Sequence, residues 1–172
     1  MTDLYERELK GILGGEVRFI DKICRDLPQE QLGAYRRLRE KHFLVIKAGG
    51  SLGVDLIAVR GNFAFPIEVK SSAERVLRFS RSEKLGMQAQ RMKEDCEHAG
   101  LVPTYAYRLK RAEGDPWRLF TLPGLNIRPD GIAGLLMRRL PSIGMTHEGN
   151  GIMRWDDGLL LSRFIAYFMD IS

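Results

Sequence analysis

The sequence predicts a mixed α/β fold, with helices packed on a central β-sheet. Three observations carry this. Short β-branched apolar runs alternate with stretches of helical spacing. One pair of those runs is joined by Gly61-Asn62, a favoured two-residue hairpin turn. A composition of 44% hydrophobic and 28% charged residues over 172 positions is that of one globular domain.

The elements follow in order. Asp3 to Leu13 (DLYERELKGIL) has helical spacing, with Leu4, Leu9, Ile12 and Leu13 as apolar positions and Gly14-Gly15 as the stop. Glu16 to Leu27 is a second helix, closed by Pro28. Gln29 to His42 is a third, with arginines on its outer side. Phe43 to Lys47 (FLVIK) is a strand, and Ala48 to Gly53 a Gly/Ser loop. The stretch GVDLIAVRGNFAFPIEVKSS, Gly53 to Ser72, reads as a hairpin, followed by a basic loop from Ser71 to Phe79. A helix begins at Ser80, where Ser80-x-x-Glu83 fits a capping box. Leu85, Ala89, Met92, Cys96 and Ala99 form its apolar stripe, and Gly100 ends it. Thr104 to Leu109 and Trp117 to Leu122 are two further strands, separated by a turn at Gly114-Asp115-Pro116. Beyond Pro123 the pattern weakens to a short helix, a hairpin through Gly149-Asn150 and a final apolar helix. This divides the chain into a core over residues 1–123 and a C-terminal extension over 124–172, packed on the core or on a partner subunit.

No apolar run approaches the roughly 20 residues needed to span a bilayer, and the charged N-terminus lacks a signal-peptide core. A cytoplasmic, membrane-free protein is expected. Cys24 and Cys96 have no metal-type spacing and read as reduced thiols. His42, His98 and His147 sit at helix ends or in a turn and read as structural. The net charge is +5. Between Lys70 and Lys93, seven basic residues face two acids, so this stretch alone carries the whole excess. Clustered positive charge suits a polyanion such as DNA, and equally a solvated helix face.

The hairpin places Asp55, Glu68 and Lys70 among residues that otherwise read as buried. Desolvating a charge costs several kcal/mol unless it is paired or bound to metal. The turn sets a register in which Arg60 opposes Phe63, Ile57 opposes Pro66 and Asp55 opposes Glu68. Two facing carboxylates repel, and a divalent cation between them removes the objection. Lys70 projects from the same strand face as Glu68, opposite Gly53, whose missing side chain leaves room for a ligand. Oxygen donors suit Mg²⁺ or Mn²⁺, which activates a water and polarises a phosphoryl oxygen. Spacing alone also fits a plainer pattern, with Asp55 starting a strand and Glu68 and Lys70 forming a surface ion pair.

Asp55 followed by Glu68-Val69-Lys70 resembles the PD-(D/E)xK nuclease motif, with Val54 where the family's proline usually stands. The closer resemblance is to archaeal Holliday junction resolvases. It rests on ERELKGIL (Glu6 to Leu13), FLVIKAGGS (Phe43 to Ser51), VDLIAVRGN (Val54 to Asn62), IEVKSS (Ile67 to Ser72) and the strand WRLFTL, and covers residues 4–13 and 43–123. The resemblance implies a restriction-endonuclease-like mixed sheet flanked by helices, with residues 14–42 as a helical insertion. It implies a metal-dependent endonuclease acting on branched DNA in recombination and repair, nucleoid-associated and homodimeric. Carried over, Asp55 and Glu68 ligate Mg²⁺ (or Mn²⁺) with the Val69 carbonyl, and Lys70 serves the nucleophile. Glu6 completes the acidic site, with Glu30 as the alternative because of the insertion, and Ser51 contacts a phosphate or orders its loop. Lys47, Arg60, Arg75, Arg78, Arg81 and Lys84 are the candidate DNA contacts. Two other readings stay open: a related nuclease for flaps, single strands or damaged DNA, and a non-catalytic DNA-binding subunit of the same fold. The apolar tail LLLSRFIAYFM fits a dimer contact or a helix covering its own core.

Overall fold

The computed structural model describes residues 2–49, 53–80, 84–128 and 130–171. Three helices come first: α1 (Thr2–Leu13), α2 (Val17–Cys24) and α3 (Gln29–Arg37). Leu9, Ile12 and Leu13 bury the expected stripe of α1, but Leu4 stays 56% exposed and belongs to the outer face. Gly15 ends the turn after α1 with φ +73°, a left-handed value that favours glycine.

The main sheet has six strands in the order β1-β2-β3-β5-β6-β9. These are β1 (Leu44–Lys47), β2 (Leu56–Arg60), β3 (Phe63–Ser72), β5 (Thr104–Leu109), β6 (Trp117–Phe120) and β9 (Leu159–Leu160). All pairs are antiparallel except β3 with β5, so the sheet is mixed. The β2–β3 hairpin has the expected register, Arg60 against Phe63 and Ile57 against Pro66. Gly61 takes φ +59° while Asn62 does not take a positive value, which is the type II′ pattern with Gly at the first central position. Pro66 lacks an N–H, yet the β3–β5 ladder begins only at Ile67, opposite Thr104. Its missing donor therefore leaves no gap in either ladder.

The segment read as a basic loop is ordered differently. β3 continues to Ser72, and β4 (Val76–Phe79) joins a second sheet of order β4-β8-β7 with β7 (Gly144–Met145) and β8 (Gly151–Arg154). The following helix, α4 (Lys84–Ala99), is described from Lys84, and the capping residue Glu83 lies outside the described residues. The expected short helix after Pro123 is α5 (Gly131–Arg139), and the last element is α6 (Leu161–Ile171).

Side chains of a strand alternate between faces, and here the two faces feed two cores. Ile67, Val69, Ala106 and Leu119 join α1, α2, α3 and α6 in one. Tyr105, Tyr107 and Phe120 join Met92 and Cys96 of α4 and Phe79 and Met153 of the second sheet in the other. Described residues after Gly124 contribute to both cores, among them Leu136 and Phe164 to one and Ile143 and Trp155 to the other. β9 extends the sheet, and Phe164 and Phe168 of α6 pack against Phe65, with Phe168 also against Phe43 and Phe63. The apolar tail thus covers the chain's own core.

Asp115 locks these layers together. It is 2% exposed. Its carboxylate accepts the Tyr35 hydroxyl at 2.9 Å, the Trp117 amide at 3.2 Å and the Ser162 amide at 3.0 Å. A buried carboxylate needs such donors to offset its desolvation. The sequence marks Asp115 only as a turn residue; besides nearby Trp117, its partners lie on α3 and α6, far away in the chain.

Candidate active site

Asp55 precedes β2, and Glu68 and Lys70 lie on β3. The ladder stops at Leu56 opposite Ile67, so the face-to-face pairing of Asp55 with Glu68 does not form. The Asp55 amide instead donates to the Ile67 carbonyl at 2.9 Å. Asp55 and Leu56 both stand against Ile67, which is the residue count of a β-bulge. Such a bulge re-aims a side chain, and here the Asp55 carboxylate accepts the Val69 amide at 2.8 Å. The two acids are still neighbours. The Asp55 charge is close enough to raise the Glu68 carboxyl.

Glu68 is 6% exposed. Burial pushes its carboxyl up to about 7; the Lys70 ammonium opposes that shift, and Asp55 adds to it. Lys70 Nζ donates to Glu68 Oε1 at 2.6 Å, a part-buried ion pair on one strand face. The surface ion pair of the plainer pattern is thus a largely buried one. Tyr105 is the β5 neighbour of Glu68, and burial and the Glu68 charge both hold its phenol protonated. A parallel register with β5 is not written in local spacing, so the sequence did not single Tyr105 out.

Gly53 does not open space for a ligand as expected. It takes φ +69°, and a Cβ there would lie 3.2 Å from the Gln88 carbonyl oxygen of α4. The glycine admits the helix, which fixes the loop leading into Asp55.

Glu6 is 8% exposed and pairs with Lys47 at 3.3 Å. α1 serves the core on the opposite sheet face from Glu68. Among the described residues, no three His, Cys, Asp or Glu residues form a group that could hold a metal. Glu30 is exposed in the first turn of α3, which packs on α2 and α6. Ser51 and Arg81 lie outside the described residues. Lys47 is held by Asp3 and Glu6, and Arg60 donates to the Lys41 carbonyl at 2.5 Å. Arg75 pairs with Asp156 and lies 5.0 Å over the Trp155 ring. Arg78 and Lys84 are exposed. Cys96 is free and buried, with its thiol pushed up to about 12 by that burial, and Cys24 is free and partly buried.

The donor set at the end of β3 is all oxygen. Along a strand, the N–H and C=O of one residue point to the same side. The Val69 carbonyl therefore turns to the side where its amide meets Asp55. Two neighbouring carboxylates, one of them buried beside the Lys70 ammonium, fit a hard cation that keeps part of its water shell.

No family model matches the chain, and no curated protein matches it significantly. A solved structure does: the Holliday junction resolvase Hjc of the hyperthermophilic archaeon Archaeoglobus fulgidus, with a TM-score of 0.50 and 20% identity. The likeness is one of fold. It covers 84% of this chain and 96% of the archaeal one. Among the described residues, no helix is long and apolar enough to cross a membrane.

Proposed function

We propose that the chain is a metal-dependent DNA endonuclease with a restriction-endonuclease-like core, and that branched DNA is its substrate. The observation that carries this reading is the placement of Asp55, held by the Val69 amide, next to the buried Glu68–Lys70 pair, on strand ends of a sheet whose fold is like that of a Holliday junction resolvase. Asp55, Glu68 and the Val69 carbonyl would hold Mg²⁺ or Mn²⁺. Once bound, the cation supplies an activated water and neutralises charge on a phosphoryl oxygen. The protein's own groups do the rest. The Val69 amide orients Asp55, burial keeps bulk water from Glu68, and Lys70 brings positive charge to the phosphate as charge builds at phosphorus. Glu6 remains a candidate only through rearrangement of the Lys47 pair.

The four-way junction is the branched form to which the fold likeness points, with a homodimer cutting two strands. Cleavage of a synthetic four-way junction in Mg²⁺ tests the reading, with a linear duplex as control and sedimentation to count subunits. Cleavage is expected in the wild type and absent in Asp55→Asn, with DNA binding retained. Equal cutting of junction and linear duplex would remove the junction label while leaving the nuclease. Binding without cleavage under any divalent ion would favour a DNA-binding subunit.

A further inference from the structure

Among the large apolar side chains left exposed, Met87 of α4 (66%) and Met145 of β7 (52%) line one groove from two walls. The groove runs between α4 and the β7–β8 hairpin and encloses about 1080 Å³. That exceeds the ~300–1,000 Å³ typical of small-molecule pockets, and it opens along a surface, so it suits a segment of polymer. Its inner wall is apolar, with Phe79, Leu122 and Ile143. One side carries Lys84, Arg91 and Lys93; the acids beside them are Glu94, which accepts a hydrogen bond from Gln90, and Glu97, which pairs with Lys93 at 3.7 Å. Gly53, two residues before Asp55, is part of the lining.

We propose that this groove binds a single strand of nucleic acid leading away from the Asp55–Glu68 site, with phosphates along Lys84, Arg91 and Lys93 and bases between Met87 and Met145. The inference rests on the nuclease reading and narrows the substrate to branched DNA that carries an unpaired strand. A duplex presents phosphates outward and has no use for two exposed methionines. Splayed bases do, because a polarisable thioether packs well against a ring. A cationic track beside an apolar wall is the general form of single-strand sites. An acidic peptide would match the same charges. The presence of Gly53, next to the candidate catalytic residues in the chain, in the lining favours the nucleic acid.

Fluorescence anisotropy in EDTA on the full chain tests this, with an oligothymidine of about twelve nucleotides and a duplex of equal length. Met87→Ala combined with Met145→Ala is expected to weaken oligothymidine roughly tenfold and to leave the duplex unchanged. Both residues are exposed, and an unchanged melting temperature verifies the fold. Lys84→Gln, Arg91→Gln and Lys93→Gln together are expected to lower the slope of log K against log salt by about 2. Unchanged oligothymidine affinity in the methionine pair would overturn the proposal, as would an equal loss on the duplex. Tighter binding of a poly-glutamate peptide than of oligothymidine, lost in the methionine pair, would assign the groove to a protein partner instead. Because no cleavage is read, failure of the nuclease reading leaves this result standing, and failure of the groove leaves junction cleavage intact.

Discussion

The Val69 amide donates to the Asp55 carboxylate at 2.8 Å, so the residue between Glu68 and Lys70 in the chain also holds the third charged group of the site. This bond separates two effects of replacing Asp55. Asparagine keeps an oxygen acceptor for Val69; alanine does not. Asp55→Asn is expected to fold with wild-type stability in urea titration, whereas Asp55→Ala loses about 1–2 kcal/mol. Both are expected to lack cleavage. An equal stability loss in the two variants would contradict the role given to this bond.

Glu68 sets a pH dependence. Its folded carboxyl is raised to about 7 from an ordinary 4.5, so between those values the folded state binds more protons than the unfolded one. Stability of the metal-free protein then falls as pH rises through that window, by up to about 3 kcal/mol, and is fully favoured below it. Glu68→Gln is expected to flatten the curve. Mn²⁺ binding followed by calorimetry is expected to weaken as pH drops below about 7, because protons compete for the same carboxylate. A wild-type stability curve that rises from pH 4.5 to 7 in parallel with that of the glutamine variant would refute this.

Gly53→Ala places a side chain at φ +69° and 3.2 Å from the Gln88 carbonyl. A loss of about 1–2 kcal/mol in stability is expected, together with reduced cleavage, since the loop into Asp55 must shift away from α4. Full activity in this variant would mean that the loop is positioned by something other than α4.

Of the basic residues between β3 and α4, Arg75 already has protein partners and Arg78 is exposed. Arg78→Ala is therefore expected to weaken DNA binding and lower its salt slope by about 1. Arg75→Ala is expected to change the slope less and to lower stability through the lost Trp155 contact. The reverse ranking would show that the Asp156 pair opens on DNA.

Asp115→Ala strands three buried donors on three elements, and about 3–5 kcal/mol is expected to be lost in urea unfolding. In a Tyr35→Phe background the same substitution is expected to cost less, since one donor is already gone.

What the sequence could and could not reveal follows from the range of each signal. The Gly61-Asn62 turn is local chemistry, and the register of β2 with β3 followed from it residue by residue. The bulge at Asp55 was hidden because the turn says nothing about where the partner strand leaves the ladder. Gly53 looked like a vacancy because the helix that fills it begins thirty-one residues later, at Lys84. The Glu68–Lys70 relation was readable from period-two alternation. Glu8 was not: this acid on α1 is buried and accepts from Arg108 at 3.0 Å and the Trp117 indole at 3.1 Å, both far along the chain.

α6 is the last helix in chain order, yet Phe164 and Phe168 complete the core beneath β3, and Ser162 supplies one of the bonds to Asp115. On the ribosome, which adds about 5–20 residues per second, β2 and β3 emerge long before that helix. The sheet that carries Asp55 and Glu68 therefore keeps an open apolar face until α6 has emerged. A chain cut short before α6 would leave Phe43 and Phe65 without the aromatic rings of α6 that pack on them.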